Sequence, residues 1–219
     1  MLFSVDHGNY AIKTRSESFI AGLAEFAVRP PLAEHVIEFE GRFWTLTGSR
    51  MPYMRDKTKD ESHFILTLFA IARELRAQGE FPPYLDVELA VGLPPEHFSA
   101  LKDRFAEYFR RTGVKFAYNG TPICLTIRSI FVYPQAYAAV VPQSHVLIGA
   151  QRMFIVDIGG YTTDVLLLRN GKPDLQFCRS LELGVITMNN EIIGKVGALH
   201  DMKIEEDHIT AVLQGQCML

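Results

Sequence analysis

Apolar residues in this chain come in short runs that stop on polar turns. Residues 1–5 are mostly apolar and end at Asp6; His7-Gly8-Asn9 is a turn signal, and residues 10–14 resume a strand pattern. The same order returns at 154–168. There an apolar run ends at Asp157, Gly159-Gly160-Tyr161-Thr162 follows, and a second apolar run closes the segment after Asp164. Further hairpins are predicted at 36–39 and 42–47 around Glu40-Gly41, and at 114–118 and 121–127 around Asn119-Gly120. Residues 18–28 read as one strand broken by Arg29-Pro30-Pro31, 87–91 as a short buried strand, and 175–183 as a strand after the Asn170-Gly171 turn.

Helical spacing replaces this alternation in four places. Phe64, Leu68, Ile71, Ala72 and Leu75 predict a helix over 61–78, stopped by Gly79. Phe98, Leu101, Phe105 and Phe109 predict a second over 96–111 with its aromatic stripe in the core. Val185, Met188, Ile192 and Ile193 predict a third over 184–196, and 204–213 reads as a short last helix. A strand end at 130–133 is expected to lead into a helix with Pro134 in its first turn. Gln143-Ser144-His145 and Gly149 mark a domain boundary. Alternating strands and helices make the class α/β.

Composition narrows the function classes. The net charge is −3 with no basic block, which argues against direct nucleic-acid binding through phosphate neutralisation. No apolar run is long enough to span a bilayer, so no membrane partner is expected. Cys124, Cys178 and Cys217 are odd in number and widely spaced; buried reduced thiols and a cytoplasmic location are expected. The seven histidines show no metal-ligand spacing.

The two Asp–Gly turns carry the chemistry. Glycines let backbone N–H groups approach an anion, hydroxyls add donors, and a strand-end carboxylate can hold a metal ion or its water. Facing one another, the turns would offer donors to a polyphosphate from two sides, with Asp6 and Asp157 bracketing Mg²⁺. Lys13 could reach a phosphate oxygen, and Gln135, at a strand-to-helix junction, could orient an attacking water. Turns capped by Asp, a solvated Lys13 and a Gln135 without substrate remain the plainer alternatives.

These residues carry a resemblance. Asp6-His7-Gly8-Asn9 with Lys13 resembles the first phosphate loop of the actin, sugar-kinase and heat-shock-chaperone ATPase superfamily. Val132-Tyr133-Pro134-Gln135-Ala136 resembles its first connecting motif, and Asp157 to Asp164 its second phosphate loop. Leu181-Glu182-Leu183-Gly184 with Thr187 and Asn189-Asn190-Glu191-Ile192 is similar to the following turn and helix. Residues 55–61 leading into Phe64-Ile65-Leu66-Thr67-Leu68, and Val91-Gly92-Leu93-Pro94-Pro95-Glu96, are similar to stretches of bacterial plasmid-segregation actin-like proteins of the ParM/StbA type.

The resemblance implies an actin-like, ribonuclease H-like fold. Domain I would span 1–150 with an inserted subdomain around 30–80, and domain II would begin at 151–219. It implies ATP or GTP with Mg²⁺ as cofactors, self-association into filaments, and DNA segregation through an adaptor protein. Asp6, Gly8, Asn9, Tyr10, Lys13, Gly159, Gly160, Tyr161 and Thr162 would line the phosphates. Asp6 and Asp157 would place Mg²⁺ through water, Gln135 and Asp157 would be catalytic, and Glu182 and Gly184 would lie toward the nucleoside. The family also carries a second Gly-rich turn that holds the adenosine. After Gly184 only Gly194, Gly197 and Gly215 remain, none adjacent to another, so domain I is expected complete and domain II truncated, without a base-binding wall. NTP hydrolysis by a full-length form, a small-molecule kinase and a non-hydrolysing scaffold all remain open for the 219-residue chain.

Overall fold

The computed structural model describes residues 1–54, 56–140 and 150–216. Gln143-Ser144-His145, Gly149 and Cys217 lie outside the described residues. Among the described residues, thirteen strands build two sheets in the order of the chain: β1 (Leu2–His7), β2 (Ala11–Lys13), β3 (Ser18–Ile20), β4 (Leu23–Phe26), β5 (Val36–Phe39), β6 (Arg42–Leu46), β7 (Tyr84–Leu93), β8 (Val114–Tyr118), β9 (Thr121–Pro134), β10 (Arg152–Ile158), β11 (Thr163–Arg169), β12 (Lys172–Pro173) and β13 (Arg179–Leu181). The first nine form one sheet in the order β3-β2-β1-β7-β9-β8-β5-β6-β4; the last four form the second, with β11 between β10 and both β12 and β13. β1, β7 and β9 run parallel in the large sheet. Helices are α1 (Ser62–Gln78), α2 (Pro95–Phe109), α3 (Tyr137–Val140), α4 (Val185–His200) and α5 (Glu206–Leu213).

The core sits between the large sheet and α1. Every residue from His63 to Ala72 is buried, so the helix is covered on all sides rather than along one stripe. It ends at Gly79, whose left-handed backbone sends its N–H to the carbonyls of Arg76 and Leu75. In α2, Phe105 and Phe109 are fully buried while Phe98 and Leu101 pack at the margin. The hairpins around Glu40-Gly41, Asn119-Gly120 and Asn170-Gly171 all have positive φ at both turn residues, the geometry of a type I′ turn.

Several expected elements are redrawn. The strand at 18–28 splits into β3 and β4, which pair with different partners, because Gly22 packs against Ser49: a Cβ there would sit 2.1 Å from the Ser49 carbonyl oxygen. Residues 121–134 are one strand of 14 residues, not two, and β7 runs the full ten residues beside it. A bulge between Val87 and Glu88 absorbs Arg128, whose side chain pairs outward with Asp86 at 2.6 Å. Pro134 closes β9 instead of starting a helix; Ala136, at φ 65°, turns the chain before α3. Only Arg179–Leu181 of the expected 175–183 strand pairs. Cys178 is buried, whereas Cys124 is only half-buried. Segment 30–80 contributes β5 and β6 to the large sheet and α1 to its core.

Candidate functional site

The parallel strands determine where the site lies. Ligand crevices form at the carboxyl ends of parallel strands, and β1, β7 and β9 end at Asp6-His7, Leu93 and Pro134. Gln135 follows at once, its N–H bonded to the Leu93 carbonyl at 2.7 Å. Its side-chain amide donates to Asp6 Oδ1 at 2.7 Å. Gly92 makes this possible, since a Cβ there would lie 2.8 Å from Gln135 Cγ. Across β1 and β2, Asp6 stands opposite Lys13.

The second turn faces the first. Gly159 N–H bonds to the Thr162 carbonyl at 2.8 Å, closing the turn between β10 and β11. The first amides of α4 fasten it from behind: Val185 N–H reaches the Gly159 carbonyl at 3.0 Å and Ile186 N–H the Gly160 carbonyl at 2.8 Å. These are donors that a helix start otherwise leaves unpaired. Gly160 meets the first turn directly, because a Cβ on it would sit 2.7 Å from Tyr10 Cβ.

Between the turns lies a cleft of about 360 Å³. Asp6, Gly8, Asn9, Tyr10 and Lys13 line it from one side, Asp157, Gly159, Gly160, Tyr161 and Thr162 from the other, and Gln135 from the floor. Glu182 and Gly184 do not line it. Glu182 is exposed, and Gly184 is the residue before α4, so close to the second turn that a Cβ would lie 2.3 Å from the Gly160 oxygen. Gly184 thus supports the loop and does not touch the cleft.

Six further side chains enter the cleft. Lys57, 4% exposed, donates to the His7 carbonyl and faces Asp6 and Asp164. Burial pulls its ammonium down to about 8, and the two carboxylates oppose that. Asp164 stands opposite Asp157 across β10 and β11. It is buried and accepts from the Ser180 hydroxyl; burial first, and then Asp157, push its carboxyl up. Asn189 from α4, and Glu206, Asp207 and Thr210 from α5, form a polar far wall. α5 reaches the cleft only through tertiary packing, and these side chains are not the second Gly-rich turn that the truncated domain II is expected to lack.

Behind the first turn, His7 and His63 are held neutral. His7 is sealed between Phe105, Phe109 and His63, and its Nε2 lies 2.7 Å from the Thr67 hydroxyl. Burial pushes His7 well below the usual imidazole range, and burial with the nearby Lys57 charge lowers His63 to about 3.

The cleft is therefore acidic on balance, with five carboxylates against Lys13 and Lys57. No group of three or more His, Cys, Asp or Glu side chains able to cage a metal exists among the described residues. That donor set suits Mg²⁺ held through water and a ligand's phosphate oxygens, the usual habit of this ion.

Residues 4–137, more than half of the chain, match the profile of the actin-like protein N-terminal domain. The chain belongs to the actin-like proteins. No curated protein is similar enough in sequence to count as a relative. Among solved structures, the filament of AlfA from the Bacillus subtilis plasmid pLS32 matches with a TM-score of 0.68 at 16% identity, over 90% of this chain and 78% of that one. The archaeal actin homologue Ta0583 in complex with ADP gives a TM-score of 0.74 at 18% identity, over 100% and 72%. A 15-stranded ParM filament from Clostridium botulinum gives 0.67 at 16% identity, over 100% and 75%. At these identities the likeness establishes the actin-like fold. Within that fold, the two turns of this actin-like chain are its paired loops between adjacent antiparallel strands, one in each sheet. No helix among the described residues is long and apolar enough to cross a membrane.

Proposed function

We propose that this actin-like protein is a nucleotide-dependent, polymerising NTPase that binds ATP or GTP with Mg²⁺ in the cleft between its two turns. The observation that carries the proposal is the convergence of Asp6, Gln135 and Asp157 with both glycine turns on one cleft. Solved structures of the same fold include one with ADP and two filaments, which supports nucleotide binding and self-association here. The division into 1–150, with its insertion around 30–80, and 151–219 belongs to the same proposal, as do a cytoplasmic location and segregation of a DNA element through an adaptor.

Each side chain then has a task. Backbone N–H groups of Gly8, Asn9, Gly159 and Gly160 would bind phosphate oxygens, and Lys13 would add a point charge. Mg²⁺ would neutralise charge on the β- and γ-phosphates. Asp6 and Asp157 would hold its waters. Gln135, with its Nε2 engaged by Asp6, keeps its Oε1 for accepting from the attacking water, which orients that water toward the γ-phosphorus. Asn189, Glu206 and Asp207 would accept or donate hydrogen bonds to the nucleoside.

Light scattering and pelleting test the reading. ATP or GTP with Mg²⁺ should produce sedimenting polymer and phosphate release, and EDTA should abolish both. Monodisperse protein with no nucleotide-dependent assembly would refute it.

A further inference from the structure

Arg50 joins the two sides of the cleft. It lies on the segment between β6 and α1, which the first sheet holds tightly. Thr47 N–H bonds to the Gly22 carbonyl at 3.1 Å, Met51 N–H to the Ala21 carbonyl at 2.8 Å, and the Thr47 hydroxyl to the Ser49 carbonyl at 2.7 Å. The absence of a Cβ at Gly22 is what lets the Ser49 carbonyl approach this closely. From this fixed base the guanidinium crosses to α5. Its Nη2 and Nη1 lie 2.9 and 3.4 Å from the two oxygens of Glu206, and its Nε donates to the Tyr161 hydroxyl at 3.3 Å. It also stands 5.4 Å from the ring centre of Tyr10 and 5.8 Å from that of Tyr161. Tyr53, from the same segment, packs its ring 5.3 Å from Tyr161.

Three of the groups Arg50 touches, Tyr10, Tyr161 and Glu206, line the cleft. They come from the first turn, the second turn and the far wall. One planar, five-donor side chain therefore ties together three parts that border the cleft. We propose that Arg50 is a clasp across the cleft mouth that sets how long a bound nucleotide stays, acting as a positioning residue and not on the reacting atoms. The proposal rests on the nucleotide reading above for its ligand, but the clasp itself is a contact of the segment after β6 with the second turn and α5.

Amide hydrogen exchange on the nucleotide-free chain and the dissociation rate of a fluorescent ATP analogue test it together. Arg50→Ala should speed exchange about tenfold in α5 and at 159–162, leave α1 unchanged, and raise the dissociation rate by a similar factor. Arg50→Lys, which keeps the charge but loses the fork and the ring contacts, should recover only part of this. The double reversal Arg50→Glu with Glu206→Arg should slow exchange relative to either single reversal. Unchanged exchange in α5, or equal acceleration in α1, would overturn the clasp. A wild-type chain that binds no nucleotide would instead refute the function proposed above, and the exchange measurements would still decide the clasp.

Discussion

The two turns share a strand–Asp–Gly–strand design, yet they sit in opposite surroundings. The first is built on a thick core: β1 and β2 pack on α1, His7 is sealed between aromatic rings, and Asp6 faces Lys13 across the ladder. The second is built on a thin sheet. Phe154, Val156 and Ile158 of β10 are each more than half exposed, and Asp157 faces not a lysine but a second carboxylate, Asp164. Opposed opposite charges stabilise a strand pair, and opposed like charges destabilise it. The first turn is thus complete in itself. The second depends on what offsets Asp164 beside Asp157: the Ser180 hydroxyl and Lys57 from the first side.

The contrast can be broken by mutation. Phe69→Ala, in the fully buried α1, should cost about 3–5 kcal/mol in chemical denaturation. Asp157→Ala should lower NTP hydrolysis at least about a hundredfold, on the order of 3 kcal/mol, with melting temperature retained because the side chain is exposed. Phosphate release at the wild-type rate in that variant would remove Asp157 from the mechanism.

Acid should attack the first region before the second. His63 titrates near 3 in the folded chain and near its ordinary 6.5 when unfolded. Between these values the unfolded state binds the extra proton, so stability is full above about 6.5 and falls as pH drops toward 3. From pH 7 to pH 4 this single group accounts for a loss on the order of 3 kcal/mol, and His63→Leu should make the pH dependence of unfolding shallower by that amount. Ser180→Ala, which removes the hydroxyl donor to Asp164, should cost about 1–2 kcal/mol and move the Asp164 titration up, readable by NMR of its carboxyl.

Much of this contrast is legible in the sequence. Asp6, Gln135 and Asp157 stand where an apolar run ends, and a strand end beside glycine is a local signal. The three type I′ hairpins and the three long helices are local as well. What was not legible comes from far away in the chain. Lys57 and Arg50 belong to an irregular polar stretch, and Glu206 opens a short helix 156 positions from the arginine it pairs with. No periodicity announces such contacts. Glu182 and Gly184, placed toward the nucleoside by the resemblance, do not line the cleft; only the packed structure shows Gly184 set against the Gly160 carbonyl. The strand at 18–28 failed because nothing in its own residues reveals the distant Ser49 that forces a break.

The two-sided clamp is tested most directly by calorimetric titration of the chain with MgATP and MgGTP, beside Lys13→Met on the first turn and Gly160→Val on the second. A clamp gives one site per chain for at least one nucleotide, Mg²⁺-dependent, and weakened at least about tenfold by either variant while circular dichroism shows both folded. Equal affinity in folded Gly160→Val, or no binding by the unaltered chain, would contradict it.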